Sequence, residues 1–464
     1  MAMYELQTRW KQQGNTLTYY GLRSVPNLFK NKIRLSKKQS AVIEKLPCEL
    51  SASDMRALGS LLGEQVVLSE EKKKTPTTLE EAVFCRDCIA NDYMIPGIEF
   101  DANGLCPMCQ TKEATRHFKS VIPVMNAFPA SKKSRFDVAV FYTGGKDSTY
   151  LLYYLSKVLG LRVLALTWEI PYMSDCAKKS IENAKVHLDS VEFITRKVAD
   201  ADMKKIYRKL YELSDNTCAC PSLAYVLFYP ELVANKVPYF VAGNEPAQLL
   251  GLYYNHMAPP ISYTFADNRF LNGLFNTFRV LTLHPPLKKG EFQTLATMKQ
   301  LAYGDNPIKN LAGYKNELVY NIVQAIKEVP SITKPLKKAI RSSSFSGNIP
   351  AFVQVDLDDI CGGHYDWKQI KETIINECGW VAPEQTDKGL HTSCKIEKCK
   401  EHSQFLRFYN MKSTMIPFSA IEISLASRKN NLSREDALAE LRSSLGFSLV
   451  EIPECAIMKE YLKK

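Results

Sequence analysis

From Phe136 onward the chain alternates between two hydrophobic periods. Residues 137–142 (DVAVFY), 162–167 (RVLALT), 190–194 and 239–242 are short apolar runs, as strands buried on both faces are. Between them, residues 148–159, closed by Gly160, and 176–187 place apolar side chains at helical spacing. Strands separated by helices of about ten to fifteen residues predict a parallel sheet with helices on both faces. The expected fold class is therefore α/β, a doubly wound parallel sheet.

The flanks read differently. In residues 1–80, Leu35, Val42, Ile43, Leu46, then Met55, Leu58, Leu61 and Leu62 recur at helical spacing. Ser36 followed by Gln39, and Ser51 followed by Asp54, have the form of capping boxes. A helical N-terminal module is expected there, ending at the charged stretch Glu70-Glu71-Lys72-Lys73-Lys74-Thr75-Pro76. Residues 84–110 are rich in cysteine, and the last hundred residues are mixed. Ser433-Arg434-Glu435-Asp436 is a strong helix start, with Ser433 as N-cap and acidic residues in the first turn.

Composition narrows the class. The chain has 464 residues, of which 45% are hydrophobic and 23% charged, enough for two or three ordinary domains. No apolar run reaches the roughly 18 residues of a membrane span. Residues 1–10 lack the apolar core of a secretory signal, so a cytoplasmic protein without membrane attachment is expected. A net charge of +11 suits nucleotides, phosphosugars or RNA, and equally a solvated surface. Thirteen cysteines in such a chain point to metal or reactive thiols rather than disulfides.

Two motifs carry chemistry. Tyr142-Thr143-Gly144-Gly145-Lys146-Asp147-Ser148-Thr149 lies between a buried strand and an amphipathic helix. Two glycines allow a tight turn and close approach of a phosphate, which the helix N-terminus favours. Thr143 and Ser148 add hydroxyls, Lys146 a positive charge, and Asp147 a ligand for Mg2+. The spacing is neither a Walker A loop nor a three-glycine dinucleotide fingerprint. The second motif is Cys85-x2-Cys88, seventeen residues, then Cys106-x2-Cys109. Two matched pairs suit a closed, tetrahedral, structural Zn2+ site.

The glycine loop resembles that of the PP-loop ATP pyrophosphatases, with Thr143 in place of the first serine. The resemblance implies a PP-loop fold of the adenine nucleotide α-hydrolase type and cleavage of ATP to pyrophosphate, with AMP left on a substrate oxygen. Asparagine synthetases, GMP synthetases, tRNA thiolases and sugar amidotransferases share that step. It also implies that Thr167, at the end of the second strand, and Gly243 and Asn244, after a later one, border the nucleotide. Phe84-Cys-Arg-Asp-Cys88, Ile95-Pro96 and Phe100-Asp-x-x-Gly-x-Cys-x-x-Cys109 are similar to the knuckle of the N-acetyl sugar amidotransferases. Asp366-Trp367-Lys368, Cys378-Gly-Trp380, His391-Thr-Ser-Cys394 and Ser433-Arg-Glu-Asp-Ala-Leu438 resemble that family's C-terminal half, which extends the likeness over roughly residues 84–445.

One stretch departs from that family. Asp215-x-x-Cys218-x-Cys220 resembles the cysteine motifs of tRNA thiolases. Cys218 is a candidate persulfide carrier beside Asp215; alternatively Cys218, Cys220 and a distant thiol such as Cys394 would hold a [4Fe-4S] cluster with one open iron. The expected domains are 1–80, a 81–115 zinc knuckle, a 130–330 ATP pyrophosphatase domain and a 331–464 α/β extension completing the active site. The expected reaction replaces an adenylated carbonyl oxygen with sulfur, supplied by a donor such as a cysteine desulfurase. The alternatives are ammonia from a partner glutaminase and a non-catalytic nucleotide-binding regulator. Nucleotide or sugar substrates come first and tRNA second, and a homodimer is allowed.

Overall fold

The computed structural model describes residues 3–28, 30–62, 66–68, 75–111, 134–215, 222–255, 269–288, 290–304, 317–384, 393–429 and 431–463. The chain divides into two compact units, Met1–Glu113 with Gln404–Glu451, and Ala114–Ser403 with Ile452–Lys464. The expected 331–464 extension is thus shared between them, and the cysteine knuckle belongs with the N-terminal residues. Among the described residues no helix is long and apolar enough to cross a membrane.

The second unit is α/β. Its strands are β7 (Val138–Phe141), β8 (Val163–Trp168), β9 (Val191–Arg196), β10 (Tyr239–Asn244) and β11 (Ala351–Asp356), where β1 to β6 lie in the first unit. They pair in parallel in the order β11-β10-β7-β8-β9. Successive residues of a strand point to opposite faces, and each face has its own core. Val138, Val140, Val163 and Ala165 pack with Leu151, Leu152, Ile181 and Ile370. Ala139, Leu164 and Leu166 pack with Ile206, Leu223, Phe228, Leu301 and Leu336 on the other face. Helices on both faces explain why the strands read as unbroken apolar runs. The four predicted strands form within a few residues of their expected bounds. The chain moves outward from β7 through β8 to β9, then returns to add β10 and β11 on the other side of β7. The order therefore reverses between β7 and β10, the position where open α/β sheets bind ligands at their carboxyl ends.

The N-terminal module differs from the helical expectation. Both capping boxes form, at Ser36 and Ser51, and start the helices Lys37–Ile43 and Ala52–Leu58. Around them lie six short strands. β2 (Trp10–Gln13), β3 (Thr16–Tyr19) and β4 (Lys32–Arg34) form one antiparallel sheet; β1 (Met3–Leu6) pairs with β5 (Cys48–Glu49) and β6 (Val67–Leu68). Gln13 faces Thr16, so Gly14-Asn15 is a two-residue hairpin turn, with Gly14 at φ +57°. Trp10 lies opposite Tyr19, ring centroids 4.9 Å apart, on a core of Leu17, Val42, Ile43 and Leu58.

Arg9 ties this module to the end of the helix Glu397–Tyr409. Its Nε donates to Tyr20 O at 2.6 Å, Nη1 to Tyr409 O at 2.8 Å and Nη2 to Phe408 O at 2.7 Å. The last carbonyls of a helix lack intrahelical donors, and a planar guanidinium can serve several at once. Burial pulls its pKa down to about 10, so it stays charged at neutral pH. Arg9→Met leaves buried carbonyls without that donor and should lower stability by about 3 kcal/mol. Arg9→Lys should recover little, because one ammonium cannot span the three acceptors. Thermal melts of both variants check this; a midpoint unchanged in Arg9→Met would contradict it.

Candidate functional site

The glycine loop turns at the carboxyl end of β7. Gly144 has φ +72°, and a Cβ there would lie 2.5 Å from Ala177 O, so only glycine fits the turn and the close approach. The Trp380 indole Nε1 donates to Gly144 O at 3.1 Å and pins the loop from above the sheet edge. Thr143 and Ser148 are tied to each other: their hydroxyls are 3.1 Å apart, and Thr143 N donates to Ser148 Oγ at 3.2 Å. The helix Lys146–Tyr153 starts directly after Gly145, which puts its unsatisfied N–H groups at the loop. Gly145 is less confined: a Cβ would meet the Thr143 hydroxyl at 3.3 Å, which that side chain could relieve by a shift of a few tenths of an ångström.

Lys146 does not extend into solvent. Its ammonium is 2.6 Å from Asp147 Oδ1 and 3.2 Å from Glu245 Oε2, and it donates to the Tyr365 hydroxyl. The Tyr365 hydroxyl donates to Asp147 Oδ1 at 2.7 Å and lies 3.1 Å from Glu245 Oε2. Trp367 Nε1 donates to Glu245 Oε2 at 2.8 Å, and the Tyr365 and Trp367 rings lie 4.9 and 5.0 Å from the ammonium. Glu245 immediately follows β10, so this cluster bridges the reversal point between β7 and β10. Burial alone would lower the Lys146 pKa, but Asp147 and Glu245 outweigh it and raise it. Burial and the same two carboxylates hold Tyr365 well above its ordinary value, so it stays a neutral donor.

Local structure delivers these partners. Asp356 caps the short helix Leu357–Ile360, Gly362 and Gly363 turn the chain with positive φ, and Asp358 Oδ1 accepts from Tyr365 N at 3.0 Å. Asp366 then caps the helix Trp367–Cys378, accepting from Gln369 N at 2.8 Å. Tyr365 and Trp367 therefore sit either side of a capping residue, aimed back at the loop. Asp366-Trp367 and Cys378-Gly-Trp380 are two of the motifs singled out in the sequence, and both tryptophans meet the loop's network. Tyr365 was not anticipated from the sequence, and Glu245 was read only as part of the 242–248 loop, with no bond to Lys146 expected. Glu245 had one available signal, an acidic residue at the carboxyl end of a strand.

The other residues expected to border a nucleotide have partners within the protein. Thr167 Oγ1 donates to Tyr142 O at 3.0 Å, and Thr149 Oγ1 to Gly145 O at 2.8 Å. Gly243 lies inside β10, where a Cβ would be 3.0 Å from Leu151 and 3.1 Å from Leu357. Asn244 is bonded to Gln248 at 2.7 Å and to Gln354. Asp147 Oδ1 is committed to Lys146 and Tyr365, and Gln248 approaches its Oδ2 at 3.5 Å. Asp215 ends the helix Asp200–Ser214 in a left-handed conformation, φ 52°. Cys394 pairs with Met173 in an isolated bridge beyond the end of β8. Cys218, Cys220 and His391 lie outside the described residues.

The four knuckle cysteines converge as expected. Their sulfurs all lie within 4.8 Å of one another and are buried, an arrangement that can hold a metal ion. Cys85 and Cys109 sulfurs are 3.8 Å apart, Cys88 and Cys106 3.6 Å. Backbone N–H groups already point at two of them, Cys106 N to Cys85 Sγ at 3.3 Å and Ala90 N to Cys88 Sγ at 3.4 Å.

Removing one partner of a buried ion cluster costs about 3 kcal/mol or more. Lys146→Met should therefore destabilise the fold, because Asp147 and Glu245 would face each other uncompensated. Adding Glu245→Gln to it should restore part of the loss. The Lys146 pKa is raised above 10.5 in the folded chain, so its contribution is complete below that pH and lost as pH rises through the folded value. The difference in melting between wild type and Lys146→Met should thus stay constant from about pH 6 to pH 9. Equal melting of the two proteins, or a gap that closes within that range, would refute the cluster's role.

No protein-family model matches this chain, and no curated protein does either.

Proposed function

We propose that the chain is an ATP-dependent enzyme that adenylates an oxygen of its substrate and then exchanges that oxygen for another nucleophile. The observation that carries this reading is the meeting of two loops, after β7 and after β10, across the reversal point of a parallel sheet. A glycine turn, a helix N-terminus, a lysine and two carboxylates converge there, which is the chemistry a polyphosphate needs. The glycine loop's likeness to PP-loop ATP pyrophosphatases supplies the reaction class. A substrate carbonyl oxygen attacks the α-phosphorus, pyrophosphate leaves, and the incoming nucleophile expels the oxygen together with AMP.

The chain's own groups support that sequence of events. Backbone N–H groups of the loop and the first helical turn would bind the phosphates. Lys146, held charged by Asp147 and Glu245, is stored beside them and available to an incoming anion. Magnesium would supply charge neutralisation of the leaving pyrophosphate. Asp147 is the ligand best placed for it, and taking that role requires Lys146 to give up one of its two carboxylates. Zinc is the ion proposed for the cysteine centre. Zn–S bonds of about 2.3 Å give tetrahedral S···S separations of about 3.8 Å, close to those between the paired cysteines. With no open position, its role is structural.

The incoming atom has two readings. Sulfur follows from the Asp215-x-x-Cys218-x-Cys220 motif, with the persulfide or the open iron of a cluster as carrier. Ammonia, as in N-acetyl sugar amidotransferases, is favoured by one specific observation: Trp367 and Trp380, from the motifs similar to that family, both bind the loop network. That reading needs a partner that releases ammonia.

Gly145→Ala tests the phosphate cradle. The added methyl meets only the Thr143 hydroxyl, so the variant should melt within about 1 kcal/mol of wild type, yet lose ATP-dependent pyrophosphate release at least a hundredfold. Full activity in that variant, or orthophosphate in place of pyrophosphate from the wild type, would sink the assignment. Cys218→Ser tests the nucleophile. If sulfur is transferred, this variant should bind ATP but form no product. Sustained turnover stimulated by ammonium salts, with a product slightly lighter than its substrate, would replace sulfur with nitrogen.

A further inference from the structure

The Ser433-Arg434 motif lies more than three hundred residues from the knuckle, yet the two meet within the first unit. Ser433 caps the helix Arg434–Ser443, its hydroxyl accepting from Asp436 N at 3.0 Å. The first residue of that helix, Arg434, reaches the knuckle: Nη1 donates to Cys88 O at 2.6 Å and Nη2 to Cys85 O at 3.2 Å. The preceding helix, Phe418–Arg428, adds two contacts from its last residues. Arg428 donates to Met108 O, next to Cys109, and Ser427 Oγ accepts from Ile89 N, next to Cys88, at 3.2 Å. Two guanidinium groups thus bind the backbone beside three of the four cysteines, on both halves of the knuckle.

The charges make this arrangement selective for the loaded state. A divalent ion with four thiolates carries a net charge of −2. The loaded cluster therefore gives the arginines an anionic partner in addition to the carbonyls they already bind. We infer that Arg434, seconded by Arg428, is an outer-sphere partner of the four-cysteine metal site, and that the bound ion fastens the helices Phe418–Arg428 and Arg434–Ser443 onto the knuckle. The inference rests on the reading of the cysteines as a metal centre. Coupling of this kind is reciprocal: losing the arginine weakens metal retention, and losing the metal loosens the helices.

The test uses the full chain loaded with zinc. Metal transfer to a chromogenic chelator is followed for wild type, Arg434→Gln, Arg434→Lys and Ser433→Ala. Outer-sphere changes typically cost ten- to a hundredfold in metal affinity, so Arg434→Gln should release zinc about tenfold faster or more. Arg434→Lys keeps the charge but not the fork, and should fall between it and wild type. Ser433→Ala weakens the same helix by losing its cap while leaving Arg434 in place, and should release zinc within about twofold of wild type. In the wild type, chelation should raise amide exchange in residues 418–443. Zinc release from Arg434→Gln within twofold of wild type, or from Ser433→Ala as fast as from Arg434→Gln, overturns the inference and leaves the metal centre standing. A wild-type chain that holds no zinc, cobalt or iron overturns the metal centre, and this inference with it.

Discussion

A buried ammonium must be met by acceptors, and that requirement organises the α/β unit of this chain. Taking Lys146 out of water is costly unless charges of opposite sign and hydrogen-bond acceptors replace its hydration. Asp147 is its neighbour in sequence, but one adjacent carboxylate also follows the lysine wherever the loop goes. Glu245 comes from the end of β10 and Tyr365 from beyond β11, so satisfying Lys146 fixes the loop against two other segments at once. Trp367 completes the set by holding Glu245 through its indole N–H while its ring faces the ammonium. The cluster is highly polar, yet it is placed where the sheet reverses direction, between the two central strands.

The sheet order explains why such a cluster can exist there. In a parallel sheet every strand ends on the same side, so the loops after β7 and β10 emerge together. Crossovers leave β7 toward β8 on one side and reach β10 on the other, which opens a gap above the two central strands. Gly144 fills the tightest point, against Ala177 O, and Trp380 covers it with a hydrogen bond rather than with apolar bulk. The loop backbone is therefore held from two sides, by the Ala177 carbonyl and by the Trp380 indole.

How much of this was legible in the sequence depended on range. β7 to β10 were readable because burial on both faces leaves uninterrupted apolar runs, and the capping boxes at Ser36 and Ser51 were readable because they are four residues long. β11 was missed: Ala351–Asp356 has half-buried Phe352 and Gln354 alternating with its buried residues, a weaker signal inside a mixed region. The N-terminal strands were missed because they are two to four residues long, and β1 pairs with residues more than forty positions away. The Gly14-Asn15 turn was a local clue that went unused. The glycine loop and the cysteine pairs were legible as motifs, since their chemistry is encoded in adjacent residues. Of the partners of Lys146, Asp147 lies within the motif, whereas Glu245 and Tyr365 are brought to it by tertiary pairing alone. Thr167, Gly243 and Asn244 border the same loops, and the structure adds the internal contacts that hold them there.

The knuckle poses the same problem as Lys146 with a different solution. Residues 85–109 form no strand and only one short helix, yet Cys85, Ile89, Ala90, Asn91, Met94 and Met108 are all fully buried. A segment this short cannot offset its own ordering entropy alone, so it needs a cross-link, a covering layer, or both. Free thiols are weak hydrogen-bond partners and would cross-link little. Thiolates at less than 4 Å would repel without a cation between them. Four cysteines this close therefore make physical sense around an ion. The covering layer comes from the far end of the chain, and it is polar at its edges: the arginines engage carbonyls, not side chains. Such contacts place few demands on which residues the knuckle carries between its cysteines. They do demand a helix that starts at Ser433 with an arginine in its first turn, the one feature of the C-terminal region that sequence alone marked most clearly.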